Sequence, residues 1–220
     1  MKRKRLAAAG LVFFLVMLAT ADIARAEINA DVRVKLGSAT GVDTMDFSNF
    51  PSSAVAEDGG GNFQVELVIA QKVDTGATLV GGAGIFGRTH KGNMNDLFFP
   101  ATSVEYDAGG LSGTIGVGVI ANPNLHFEGR LELDLGRGKP TLTTPFWPPY
   151  NPVQEGDYAA AALILGGYYT VSKPGLQLGF ELGAQSFTGN FQIWNNAGFW
   201  NDAKAKGSGG FVNLVIGARF

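Results

Sequence analysis

Five ionisable side chains occupy alternate positions of one short stretch, Leu125–Leu135: His126, Glu128, Arg130, Glu132 and Asp134. Side chains of these types could do acid–base chemistry, because paired carboxylates can move protons on a substrate and a histidine can act as a general base. They could equally neutralise one another, since a buried charge is costly unless it is paired. Which of the two roles is possible depends on the secondary structure that positions these five side chains.

The positions between these charges are apolar apart from Gly129. Successive side chains of a β-strand point to opposite faces, so the stretch predicts a strand with one apolar and one ionisable face. Residues 28–36 and 176–187 alternate in the same way. In a soluble sheet the apolar face would be buried; the rest of the chain favours the reverse, with apolar faces toward lipid.

Composition narrows the class of protein. The chain has 220 residues, 16% of them charged, with 32 glycines and no cysteine. Many glycines and short alternating stretches favour an all-β barrel over a helical protein. The absence of cysteine excludes disulfides, cysteine-ligated metals and thiol nucleophiles.

The first 26 residues predict a secretory signal peptide. Lys2–Arg5 is basic, Leu6–Ala19 is apolar, and Ala24–Ala26 is a small-residue cleavage motif ending at Ala26. The alternative is a retained membrane helix, but the apolar run is shorter than the ~20 residues that a spanning helix needs. Cleavage would leave residues 27–220 as one barrel domain with a net charge of −6, which argues against a nucleic-acid partner.

Eight strands are predicted, separated by alternating long and short connections: 28–36, 62–72, 77–88, 110–120, 125–135, 158–171, 176–187 and 209–220. The long connections are residues 37–61, 89–109, 136–157 and 188–208, and within the second of them Ser103–Tyr106 is open to being an extension of the next strand. Aromatic residues in or beside them, including Phe187, Trp194 and the segment Phe146–Pro152, predict an interfacial girdle.

On these features the chain resembles the small OmpA/OmpX-type outer-membrane barrels of Gram-negative bacteria. The resemblance depends on the signal peptide, the alternating connections and the closing sequence FVNLVIGARF. It implies a single antiparallel up-and-down transmembrane β-barrel of about eight strands in the cell outer membrane. It also implies that Phe220 is read by the outer-membrane insertion machinery, and that membrane lipids or lipopolysaccharide are partners. The oligomeric state stays open.

In such a barrel the ionisable faces line the lumen, and we expect them to form a paired charge network. The expected members are Asp31, Arg33, Glu66, Glu128, Arg130, Glu132 and Glu181, with Lys35, Arg88, Asp134 and Arg219 facing the same way. We expect no catalytic residue, cofactor or metal. His126 is interpreted as a lining residue and His90 as a solvated loop residue. Inward glycines, such as Gly116 and Gly179, would make room for large side chains such as Arg130.

The sequence therefore favours a structural or surface-interaction protein. One alternative is a narrow channel or carrier for small apolar molecules, similar to the OmpW-type barrels, with a small-walled cavity near Gly82, Gly116 and Gly166. A second is a lipid-modifying enzyme in the barrel wall. That enzyme would need a Ser–His or Asp–His pair at a lipid-facing opening.

Overall fold

The computed structural model describes residues 28–40, 44–47, 54–94, 102–143, 153–171, 175–194 and 200–220. The predicted signal peptide, with its cleavage site at Ala26, and the segment Phe146–Pro152 lie outside these residues. Within them, no helix is long and apolar enough to cross a membrane.

The described residues form ten strands. These are β1 (Ile28–Thr40), β2 (Thr44–Phe47), β3 (Ala54–Lys72), β4 (Ala77–Met94), β5 (Thr102–Asn122), β6 (Leu125–Thr143), β7 (Val153–Gln154), β8 (Gly156–Thr170), β9 (Gly175–Trp194) and β10 (Trp200–Arg219). Eight of them are long, and β2 and β7 are short.

The eight long strands close into a ring. Each is antiparallel to its neighbours in the order β1, β3, β4, β5, β6, β8, β9 and β10, and β10 pairs back to β1. Val34 of β1, for example, lies opposite Val65 on one side and Ile216 on the other. The short strand β2 pairs with β3 and β10 and extends the wall beyond the end of β1. The prediction of an up-and-down barrel is confirmed.

Tight turns join β3 to β4 and β5 to β6 at one end of the ring, called here the turn end. Between β3 and β4, the backbone N–H of Val73 donates to the Ala77 carbonyl at 2.9 Å. Between β5 and β6, the side-chain oxygen of Asn122 accepts hydrogen bonds from the N–H groups of Asn124 and Leu125, each at 2.9 Å. An asparagine that bonds to the backbone two residues on is a typical turn former. The opposite end is called the loop end.

Outward and inward faces have opposite polarity in the half of the barrel nearer the turn end. Leu131 and Leu133 point outward and are 59% and 63% exposed, whereas Glu128, Arg130 and Glu132 between and beside them are buried. Apolar residues thus cover the outside, and the inside carries charges together with a few apolar residues such as Val68 and Ile164. This is the reverse of a soluble barrel. The predicted polarity is confirmed.

The outward apolar residues form a band, called here the apolar band. It runs from Phe127 to Leu135 on β6, from Leu111 to Val119 on β5 and from Leu176 to Ala184 on β9. Nine residues at ~3.3 Å each, tilted by ~40°, cover roughly 20 Å along the barrel axis. This is close to the ~25 Å apolar band of transmembrane barrels.

The strands continue well beyond the apolar band, so the predicted long loops were wrong in extent. β6 ends at Thr143 rather than near residue 135, and β10 begins at Trp200 rather than near residue 209. β5 begins at Thr102 and so includes Ser103–Tyr106, the extension that the sequence left open. The reason is that the apolar side chains change from the outer to the inner face along each strand. On β9 the apolar side chains point outward up to Leu182, but toward the loop end Phe187 and Phe191 point inward. A strand whose apolar face switches sides loses its simple alternation and looks like a loop in the sequence.

Toward the loop end the barrel therefore has the polarity of a soluble protein. On β10, Lys206 and Ser208 point outward and are exposed, while Ala203, Ala205 and Gly207 are buried inside. On β5, Asp107 is outward and Tyr106 is buried. This part of the wall, called here the extension, is built to stand in water or among polar headgroups rather than in acyl chains.

A charged residue introduced in the middle of the apolar band tests whether the band lies in the hydrocarbon of the membrane. We expect Leu131→Arg to lower the free energy of unfolding from lipid vesicles by ~2–4 kcal/mol, because the guanidinium would lie near the bilayer midplane. The matched change Thr141→Arg, outward on the same strand but in the extension, should cost only ~0–1 kcal/mol. Denaturant unfolding followed by tryptophan fluorescence measures both; equal effects would contradict the band.

Candidate functional site

The centre of the lumen is a cluster of buried ion pairs around Arg130 on β6. Its guanidinium lies 3.0 Å from Glu66 Oε2, contacts Glu181, and donates to the Tyr168 hydroxyl at 2.9 Å. Lys35 Nζ lies 2.8 Å from Glu66 and 3.5 Å from Glu181, and so binds the same two carboxylates. Residues of several strands thus meet through one charge cluster in the middle of the barrel.

A second cluster lies near the turn end. Arg33 forms a two-point contact with Glu128, with both N–O distances 2.7 Å, and lies 2.7 Å from Asp31. Arg219 donates to Asp31 at 2.7 and 2.8 Å. His126 Nε2 lies 3.2 Å from both Glu128 and Arg219. Planar guanidinium–carboxylate pairs of this kind fix geometry as well as charge.

A third cluster lies toward the loop end. Arg88 lies 2.5 Å from Glu132 and 2.7 Å from Asp134, and it also contacts the side-chain oxygen of Gln185 on the far wall. Gln64 donates to Glu132 at 2.9 Å. The seven network residues named from the sequence therefore all lie in the lumen, and Lys35, Arg88, Asp134 and Arg219 join them there.

Beyond Arg88 the lumen is filled by rings instead of charges. This aromatic cluster comprises Phe86, His90, Tyr106, Tyr158, Phe187 and Phe191, packed with small residues such as Ala160 and Ala205. His90 stacks on Phe187 with ring centroids 3.9 Å apart, and its Nε2 lies 3.2 Å from the Tyr158 hydroxyl.

Two predictions fail at this cluster. His90 was expected to be a solvated loop residue, but it lies on β4 and is 1% exposed. Phe187 was expected in an interfacial girdle, but it points into the lumen and is 3% exposed. Both errors come from the phase change at the edge of the apolar band. The available signal is the inward repeat Phe187, Gly189 and Phe191 on β9, which lies opposite small residues on β10.

Several inward glycines make room for rings, and not mainly for Arg130. A Cβ added at Gly166 or Gly179 would collide with Tyr168, and one added at Gly207 would collide with Phe187. Gly116 does adjoin Arg130, whose Cγ would lie 2.8 Å from an added Cβ. The glycines thus set where the large lumen side chains can lie.

Among the described residues, the candidate group of metal ligands in the lumen is already bound by arginines. Asp31, His126 and Glu128 can each bring one ligand atom to within 4.8 Å of the others. Both carboxylates, however, already bind Arg33, and Asp31 also binds Arg219. A cation at this point would face two guanidinium groups and would have to displace them.

The histidines are also poorly placed for the chemistry of a lipid-modifying enzyme. The His126–Glu128 pair is inside the lumen, where the Glu128 oxygens are occupied by Arg33, and not at a lipid-facing opening. His90 is enclosed by Phe187 and Tyr158. The arrangement of these residues neutralises charge and fills space.

Three features now stand together: a closed antiparallel ring, an apolar band on its outer surface, and a lumen of paired charges. Only a closed ring can satisfy every backbone group of β-structure within hydrocarbon. The chain has the architecture of a small outer-membrane β-barrel.

Sequence comparisons add nothing to this assignment: no family model and no curated protein matches the chain. Solved structures of similar shape include the outer membrane protein OprG from Pseudomonas aeruginosa, at 12% identity and a TM-score of 0.49, covering 89% of this chain and 97% of OprG. A major outer membrane protein from Thermus thermophilus is 13% identical, with a TM-score of 0.48 and coverages of 87% and 99%. The outer membrane protease OmpT from Escherichia coli is 11% identical, with a TM-score of 0.44 and coverages of 90% and 99%. Likeness at these identities and TM-scores assigns no function.

Removing the central cation tests whether the lumen charges depend on one another. We expect Arg130→Ala to lower the free energy of unfolding by ~3–5 kcal/mol, because Glu66 and Glu181 would be left to share Lys35. Arg137→Ala removes a similar side chain from the exposed pair with Glu155 and should cost ~0–1 kcal/mol. Unfolding in vesicles measures both, and a small effect of Arg130→Ala would show that water already screens the lumen.

The role of the inward glycines can be tested by adding one methyl group. Gly179→Ala should lower the free energy of unfolding by ~1–3 kcal/mol, since the new Cβ would overlap the Tyr168 ring. Gly113→Ala adds the same group on the outer wall, where nothing lies within 4 Å, and should change stability by less than ~0.5 kcal/mol. Equal tolerance at both positions would mean that Tyr168 does not fill the lumen as described.

Proposed function

We propose that the chain is an integral outer-membrane protein with a structural or surface-interaction role and no catalytic activity. The observation that carries the proposal is the filling of the lumen. Charges occupy the half nearer the turn end, and the aromatic cluster occupies the part nearer the loop end. A barrel of ~8 strands has an interior just wide enough for side chains to fill.

Three arginines brace the barrel across the lumen in different directions. Arg33 reaches from β1 to Glu128 on β6, and Arg88 reaches from β4 to Gln185 on β9. Arg130 on β6 holds residues of both β3 and β9. All three side chains are at most 1% exposed. An ion or solute moving along the axis would have to break these contacts, so the geometry weighs against the channel or carrier alternative.

The extension supports a role at the cell surface. It raises exposed charged residues above the apolar band on several strands, including the pairs Lys91–Glu105 and Arg137–Glu155. Polar side chains at this height suit contact with lipid headgroups, lipopolysaccharide or an external partner. We propose the headgroups and sugars of the outer leaflet as the first partners of this surface.

Phe220 has the placement expected of an insertion signal. Its side chain is 71% exposed, and its backbone N–H donates to the Ala30 carbonyl at 2.9 Å, next to the pairing of β10 with β1. We propose that the insertion machinery contacts this ring before the barrel enters the membrane.

The proposal predicts a folded barrel that does not conduct. The chain without residues 1–26, refolded in detergent, should shift its gel mobility on heating and show β-structure by circular dichroism. In planar bilayers it should give no stepwise conductance, because the arginine braces and the aromatic cluster close the lumen. A general porin prepared in parallel serves as the control for insertion.

Two experimental results would contradict the proposal and support one of the alternatives. Stepwise conductance, or uptake of small apolar solutes by vesicles that contain the protein, would support the channel or carrier alternative. Release of acyl chains from lipopolysaccharide would support the lipid-modifying enzyme.

A further inference from the structure

The outer wall of the barrel carries an open groove of about 480 Å³. Its lining includes Leu36 of β1, Gly61 and Phe63 of β3, Gly87 and Thr89 of β4, and Asp107 of β5. The groove lies on the outside of the ring, at the upper edge of the apolar band. Asn62, Arg88 and Ala108, whose side chains are buried, also line it, so the groove adjoins the part of the wall that carries Arg88 of the third charge cluster.

Missing side chains create the groove. A Cβ added at Gly61 or at Gly87 would meet nothing within 4 Å. Gly87 lies between Phe63 on β3 and Gly109 on β5 in the ladder, so two neighbouring outward positions carry no side chain. Elsewhere at the upper edge of the band, leucines such as Leu111 and Leu135 cover the wall.

The two ends of the groove differ in polarity. Leu36 and Phe63 are 56% and 45% exposed and continue the apolar band upward. At the other end the Thr89 hydroxyl donates to Asp107 Oδ1 at 2.8 Å, and both residues belong to the extension. A molecule lying in the groove would contact apolar side chains at the end nearer the turn end of the barrel and hydrogen-bonding groups at the end nearer the loop end.

We propose that the groove holds one acyl chain of an outer-leaflet lipid whose headgroup donates hydrogen bonds to Asp107. The inference depends on the proposed membrane location, because the groove is continuous with the band that faces acyl chains. A tail would lie against Leu36 and Phe63 over the glycine floor. An exposed carboxylate accepts hydrogen bonds from ammonium or hydroxyl groups and repels a bare phosphate, so Asp107 selects for a headgroup with donors.

Photo-crosslinking in vesicles tests the site. The folded barrel is reconstituted in phosphatidylcholine containing a small fraction of phosphatidylethanolamine with a diazirine on one acyl chain. After irradiation, labelled peptides are identified by mass spectrometry. We expect labelling to concentrate on the peptides that contain Leu36 and Phe63, several-fold above other segments of the apolar band.

Two matched variants make the test specific. Gly87→Phe fills the groove floor and should reduce this labelling several-fold. Gly113→Phe adds the same ring at another outward glycine with open space around it, below Leu111 on β5, and should leave labelling unchanged. Heat-modifiability of each variant shows that the barrel has folded.

The proposed hydrogen bond between the lipid headgroup and Asp107 is tested separately. Wild-type protein should label more strongly with the phosphatidylethanolamine probe than with a phosphatidylcholine probe carrying the same chain, because the choline headgroup has no donor. Asp107→Ala should abolish this preference while acyl labelling at Leu36 and Phe63 persists.

Even labelling around the whole band, or equal labelling of Gly87→Phe and wild type, would overturn the lipid site. Crosslinks between two barrels at the groove would also overturn it, because they would make a second copy of the chain the occupant. Failure of the wild-type protein to enter vesicles at all would instead count against the proposed membrane location.

Discussion

The requirement that each charge in the lumen meet an opposite charge shapes the whole barrel. The apolar band surrounds this region, so an unpaired ion has little water to stabilise it. Six acids and five bases satisfy one another across the lumen instead. Apart from Arg33–Asp31, these pairs join different strands, so they also fix how far apart the walls stand.

The polarity of the inner and outer faces reverses along the barrel axis. The barrel therefore has two regions of opposite polarity, although the same strands run through both. Near the turn end, charges are inside and leucines are outside; in the extension, rings are inside and charges are outside. The change occurs within single strands, between Leu182 and Phe187 on β9. A protein of this kind can hold its shape well above the membrane surface through its strands.

Periodicity was informative where only one environment acted on a strand. The alternation in Leu125–Leu135 predicted both the strand and the side on which Leu131 and Arg130 lie. It could not predict that Arg33 meets Glu128, 95 residues away, because that contact depends on ring order and register. It also missed His90 and Tyr106, since an apolar face that changes sides leaves no single repeating pattern across the strand.

The pairing of β1 with β10 has a consequence for assembly. Asp31 and Arg219 lie opposite each other across this seam, are joined by an ion pair, and are 188 residues apart in the chain. Contacts so distant in sequence form slowly, because a long loop must close before they contribute any stability. Until then, both terminal strands expose unpaired backbone edges that can recruit another chain. Aggregation of the newly made protein is therefore in competition with the last step of its own closure.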